Sequence, residues 1–277
     1  MDTARGYDAK DPHKQHHPLV AGLVSLEEAH KVIHTGLVFY VVYACWYAWR
    51  FAVAKTYALI FMFLGYACGH AYNDGLDKVT HWKWLPEALT ATFSMLAINF
   101  INRTYIDMLY IYALLALFWL HAFEIFFEGE LKEIEFMHET NILRTLGAKV
   151  ISDVDNNKVL IIGAPTKVFS WFIQITKSVL MLYVAWQIDM LNVYITAPFV
   201  VGMLYLTYKL LKSPRAYDHD EDLDLMASAE MLAFFGLVAM IFTLLGPIVV
   251  VLLYAVSVAW LVGLNKIQWG STIGPKV

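Results

Sequence analysis

Charge is what this chain has least of. Only 16% of its 277 residues are Asp, Glu, Lys or Arg, against about a quarter in a typical soluble protein. That shortage excludes an ordinary soluble globule. With 59% hydrophobic residues and a mean hydropathy of +0.55, it points to an all-α, polytopic membrane protein. The net charge of −4 is too small to support nucleic-acid binding. Cysteine is nearly absent: Cys45 and Cys68 lie in apolar runs without CxxC spacing, which excludes a disulfide scaffold or a zinc framework. Residues 1–18 are polar and rich in His and Lys, so no signal peptide is read there. Internal repeats and low-complexity tracts are missing too.

What is present is a series of apolar runs. A spanning helix needs roughly 20 such residues, and eight stretches are read as spans: 30–49, 56–72, 87–102, 105–127, 168–187, 191–211, 223–244 and 247–264. The last two are separated only by Gly246-Pro247, a turn signal. Eight spans place both termini on one side, together with the loops 73–86, 128–167 and 212–222. Of the 20 Lys and Arg residues, only Arg50, Lys55 and Arg103 fall on the side of the short turns. By the positive-inside rule the termini and long loops are cytoplasmic. A single integral membrane domain with a cytoplasmic cap of loops follows.

Three polar stretches stand out. "EIFFEGELKEIEFMHETNILRTLG" packs Glu128, Glu130, Glu133, Glu135 and Glu139 into twelve positions at the mouth of the fourth span. Carboxylates that close repel unless something positive sits among them. On one continuous helix, Glu128, Glu135 and Glu139 share a face, and Glu130 and Glu133 take the other. Lys132 and Arg144 offset part of the charge. Such oxygen donors suit Mg²⁺, which takes one or two carboxylates plus substrate phosphates. A solvated acidic helix is the competing reading. "DPHKQHHPLVAGLVSLEEAHK" holds a capping box, Ser25 to Glu28, so a helix begins near Leu26. Ahead of it Asp8 and Asp11 could take a cation, and Lys10, Lys14 and the His residues an anion. "GYACGHAYNDGLDKVTHWKWLPE" brings Asp74, Asp77, Lys78 and His81 around an Asn-Asp-Gly turn, with Trp82 and Trp84 where an interfacial belt puts aromatics. A fourth stretch, "YDHDEDLDL" at 217–225, reads as a solvated loop. Lys177, inside the fifth span, is an intramembrane charge that meets either a diphosphate or an internal acid, or else snorkels to the interface.

Two of these stretches carry a family resemblance. "HHPLVAGLVSLEEA" resembles the segment R-P-L-x-S-G-x-x-S-x-x-E-A of the UbiA superfamily of intramembrane prenyltransferases. "GELKEIEFMHETNILRTLG" resembles their second motif, D-x-K-D-I-E-G-D followed by T-L-x-x-x-G. Four spans lie between them, as in the family, and "AYNDGLDK" sits where the family has a middle cytoplasmic loop. The resemblance covers roughly residues 8 to 245.

It implies a UbiA-like bundle and the transfer of a prenyl group from a prenyl diphosphate to an aromatic or lipid acceptor. Mg²⁺ would be held by Glu130, Glu133, Glu135, Asp8 and Asp11, with Glu130 and Glu133 catalytic. Tyr72, Lys78, Lys14 and Lys132 would meet the diphosphate. The departures are equally specific. The family's two leading helices and its first motif, N-D-x-x-D, are absent, and Glu130 and Glu133 stand where the family has Asp. A bundle short of two helices implies a protein partner that completes it, besides the membrane lipid. A catalytically degenerate, UbiA-like subunit of a larger membrane complex is therefore the alternative. A third reading, a membrane di-iron oxidase, rests on the E-x-x-H spacings Glu27/His30 and Glu135/His138.

Overall fold

The computed structural model describes residues 18–72, 80–132, 134–135, 141–152 and 157–269. The chain is mostly helical. Five helices are long and apolar enough to cross a membrane: Leu26–Phe51, Trp84–Asn102, Met108–Lys132, Ala164–Ile188 and Met190–Leu211. That makes it a multi-pass integral membrane protein by length and composition. Two compact units divide the chain, Met1–Ile106 and Asp107–Lys276.

The first unit contains α1 (Leu26–Phe51), α2 (Lys55–Ala71) and α3 (Trp84–Asn102). α1 starts where the capping box places it. Ser25 Oγ accepts from Glu28 N at 3.2 Å, and Glu28 Oε2 accepts from Ser25 N at 2.9 Å, so two orphan donors of the first turn are satisfied. The turn after α1 is clasped to the end of α3. Val53 N donates to Ile101 O and Ala54 N to Phe100 O, each at 3.0 Å. Below that clasp Phe61 stacks on Phe100 with ring centroids 5.5 Å apart. α2 and α3 approach closely because Gly65 and Gly69, four apart, leave room for Thr90 and Ser94 of α3. A Cβ on Gly65 would lie 3.3 Å from the Thr90 carbonyl oxygen. Small residues at this spacing let helices approach in lipid, where apolar burial gives no drive to associate.

The second unit begins with α4 (Met108–Phe123), capped by Asp107, whose side chain accepts from Tyr110 N. α4 runs on through a π-helical turn, Glu124–Gly129, and a last α turn, Glu130–Lys132. Then come α5 (Ile142–Thr145), β1 (Lys149–Ser152), β2 (Lys158–Ile161), α6 (Ala164–Ile188), α7 (Met190–Leu211), β3 (Arg215–Ala216), α8 (His219–Ala239), α9 (Phe242–Leu245) and α10 (Pro247–Trp269). The 128–167 loop therefore contains strands that the sequence analysis does not anticipate. β1 and β2 pair antiparallel, Lys149 opposite Ile161 and Ser152 opposite Lys158, and β3 joins the far edge of β2. Val150, Ile151, Val159 and Ile161 suit a pleated, half-buried surface.

The core of this unit joins α4, α6, α7 and α8 around Ala116, Met181, Ala185 and Val200. Asn192 of α7 closes the far end through Thr243, donating from Nδ2 to Oγ1 at 3.1 Å and accepting from the backbone N at 2.9 Å. The expected break at Gly246-Pro247 is present, with Gly246 at φ +78°. "YDHDEDLDL" differs from its expectation as a loop. Asp218 caps α8 by accepting from Asp220 N and Glu221 N, and the acids that follow form the first turn of that helix. Negative charge there meets the positive end of the helix dipole, which is why an acidic run is helical.

Candidate functional site

Of the residues singled out for the site, Asp8, Asp11, Lys14, Lys78 and Glu133 lie outside the described residues. Tyr72 is half-buried directly after α2, in the first unit. Glu130, Lys132 and Glu135 belong to the second unit and do not share one environment. Glu130 is buried, and its Oε2 accepts from Ile142 N at 3.2 Å, at the start of α5. Asn141 Nδ2 donates to the Glu130 carbonyl at 3.1 Å. Lys132 is exposed at the end of α4. Glu135 lies past that end, held by Lys158 Nζ at 2.8 Å.

The single helix expected through Glu139 is not what forms. The π-helical turn uses i→i+5 bonds and inserts a residue. Regular helix then stops at Lys132. The register shift and early stop bury both Glu128 and Glu130, so the two-faced grouping of the glutamates does not hold. Among the described residues no three His, Cys, Asp or Glu side chains converge as a metal site. Of the five acids expected to hold Mg²⁺, only Glu130 and Glu135 are described; they stand in separate environments, each already bonded to a protein donor.

A different cluster does form in this unit, inside the apolar helices. Glu128, at the end of the π-helical turn, is buried and stands beside Glu230 of α8, near enough for carboxyl to meet carboxyl. Lys177 of α6, also buried, lies in the field of Glu128, Glu124 and Glu230. Its ammonium sits 5.5 Å from the centroid of the Phe123 ring. Glu124 Oε2 is 2.7 Å from His121 Nδ1. So Lys177 is buried in the field of internal acids and does not snorkel. Opposite charges nearby offset part of the cost of burying each, and three helices contribute to this cluster. Sequence reasoning singled out Lys177 and Glu128 but missed Glu230. The signal was available: it is an acid well inside the predicted span 223–244. On the same face of α6, Gln174 Nε2 donates to Thr207 Oγ1 of α7 at 3.0 Å.

The small sheet is pinned to the base of α8 by an ion pair between Arg215 and Asp222. Burial is the main influence on Asp222 and pushes its carboxyl up to about 6, although Arg215 pulls it down. At the near edge of the sheet, a polar concavity of about 230 Å³ is lined by Glu135, Arg144, Lys149, Ser152 and Lys158.

The first unit holds a groove of about 740 Å³ along α1, α2 and α3. Tyr40, Tyr43 and Tyr66 line its length, and His30, His34 and His70 line it toward the start of α1 and the end of α2. His30 thus faces a groove, while its E-x-x-H neighbour Glu27 is exposed and paired with Lys31 at 2.8 Å. Its counterpart His138 lies outside the described residues. Compared with protein-family models, curated proteins and solved structures, the chain matches none of them.

Proposed function

We propose that the chain is a UbiA-like membrane protein that takes a prenyl diphosphate and passes its prenyl group to a lipid-soluble aromatic or lipid acceptor. In this reading it crosses the membrane eight times, keeps both termini in the cytoplasm and gathers its long loops there as a cap. The carrying observation is the 740 Å³ groove of the first unit, apolar and aromatic along its length with imidazoles toward one end. Sites for small ligands are concave, mostly apolar, and carry a few convergent polar groups. An isoprenoid chain with a polar head has that shape and polarity. Aromatic faces also stabilise the allylic cation that develops as diphosphate departs.

A second reading, a catalytically silent subunit completed by a protein partner, is favoured by the engagement of the acids. Glu130 is bonded to the start of α5, and Glu135 to Lys158. One experiment separates the two. The full chain in lipid nanodiscs is given a radiolabelled prenyl diphosphate and a panel of acceptors, with Mg²⁺ or with chelator. Prenyl transfer that needs Mg²⁺ and disappears in Glu133→Gln supports the enzyme. Undiminished turnover in that variant refutes the role of Glu133. An inert chain that purifies in a stoichiometric native complex establishes the subunit.

A further inference from the structure

We infer that the connection between α4 and α6 carries a binding site for the phosphoryl headgroup of an anionic lipid. The site is the 230 Å³ concavity lined by Glu135, Arg144, Lys149, Ser152 and Lys158. It is independent of prenyl transfer.

Position supplies the first argument. The helices ending at Lys132 and beginning at Ala164 are both long and apolar enough to cross the membrane. The segment between them therefore leaves and re-enters on one side, and a tight hairpin there lies where headgroups begin. Charge supplies the second. Among the described residues that line the concavity, three cations stand against one carboxylate, a balance that suits a phosphoryl group. The donors also differ usefully in kind. The Arg144 guanidinium offers a planar fork that takes two phosphate oxygens at once, Lys149 is a compact point charge, and the Ser152 hydroxyl adds a neutral donor.

Local structure holds these groups in place. Asn141 Oδ1 accepts from Arg144 N at 3.2 Å and starts α5. The strand register sets Ser152 opposite Lys158. Glu135 is only 12% exposed, and it engages a Lys158 that is 55% exposed. The carboxylate thus holds back one of the three cations, so its removal should release Lys158 to the ligand.

The test uses the full chain in nanodiscs of phosphatidylcholine, with and without phosphatidylglycerol. Amide hydrogen exchange of β1 and β2 is read by mass spectrometry. Phosphatidylglycerol is expected to slow exchange in both strands. Arg144→Gln and Lys149→Gln should each weaken that response about tenfold, the effect of losing one hydrogen bond to a charged group. Lys212→Gln, at the end of α7 on the same side but outside the concavity, should leave it unchanged. Glu135→Gln should strengthen it, a gain that misfolding does not produce. Equal exchange in the two lipids overturns the inference. So does a loss in Lys212→Gln as large as that in Lys149→Gln, which would mean diffuse attraction. Full protection by inorganic pyrophosphate in phosphatidylcholine discs would assign the site to a soluble phosphate instead.

Discussion

α1 and α6 are nearly the same length, 26 and 25 residues, and their mean hydropathies, 1.3 and 1.5, are close. Yet only 6% of the apolar window of α1 is buried, against 44% for α6. Hydropathy does not separate them; the placement of polar groups does. In α6, Ser170, Gln174, Lys177 and Ser178 recur at helical spacing and all are buried. In α1 the charged residues sit at the ends, Glu27, Glu28 and Lys31 at the start and Arg50 at the close, and the middle is apolar and aromatic. In lipid, apolar side chains gain nothing by leaving the tails, so a helix is drawn to its neighbours by packing, hydrogen bonds and charge. α6 is held by what is polar in it, and α1 has little there to hold.

The sharpest way to break that contrast is Lys177→Met. It leaves Glu128, Glu124 and Glu230 with less compensation, and a buried polar group left uncompensated costs up to about 3 kcal/mol. Denaturant unfolding in detergent should show a loss of that size. Adding Glu128→Gln should recover a large part of it, because the orphaned charge goes too. A double variant as unstable as Lys177→Met alone would mean that Lys177 acts through packing.

The same contrast explains what could be read from the sequence. Composition and apolar runs give the helices, the capping box gives the start of α1, and Gly246-Pro247 gives the break before α10. Lys177 is conspicuous because an intramembrane charge always is. Its partners were harder to see. Glu128 and Glu230 are about a hundred residues apart and meet only because α4, α6 and α8 pack together, which no local period reports. The π-helical turn was equally hidden. A fixed 100° per residue assumes regular helix, and one inserted residue turns Glu130 from the cap face to the interior. The strands at 149–161 were obscured by their neighbours: short runs of Val and Ile between two apolar spans look like more of the same.

Next in size is the hairpin's junction with α6. A Cβ on Gly163 would overlap the Leu146 carbonyl oxygen and press on Gly147. These are backbone atoms that cannot swing aside. Gly163→Ala should therefore cost about 3 kcal/mol, and amide exchange should show the loosening confined to the hairpin and the first turn of α6.

Asp222 follows. Its carboxyl is pushed up to about 6, mainly by burial, from an ordinary value of 3.8. Between those two pH values the folded chain holds a proton that the unfolded chain has lost. Stability contributed by this group is thus present at the acid end and falls as pH rises toward 6, by on the order of 2 kcal/mol. Asp222→Asn should flatten that stretch of the pH profile. A profile that rises with pH there and flattens in the variant would show that the Arg215 ion pair dominates.

The smallest expected effect tests the comparison from the α1 side. Phe39 is 71% exposed on α1, while Met181 is fully buried on α6. Met181→Ala removes packed atoms and should cost about 2–5 kcal/mol. Phe39→Ala removes a ring from the lipid-facing side and should stay within about 0.5 kcal/mol, as surface changes do. If α1 is instead a docking face for a partner that completes the bundle, Phe39→Ala will still leave the isolated chain as stable as before but will reduce recovery of the native complex. A stability loss in the isolated chain comparable to that of Met181→Ala would mean that α1 is packed more tightly than its exposure says, and the contrast between the two helices would fail.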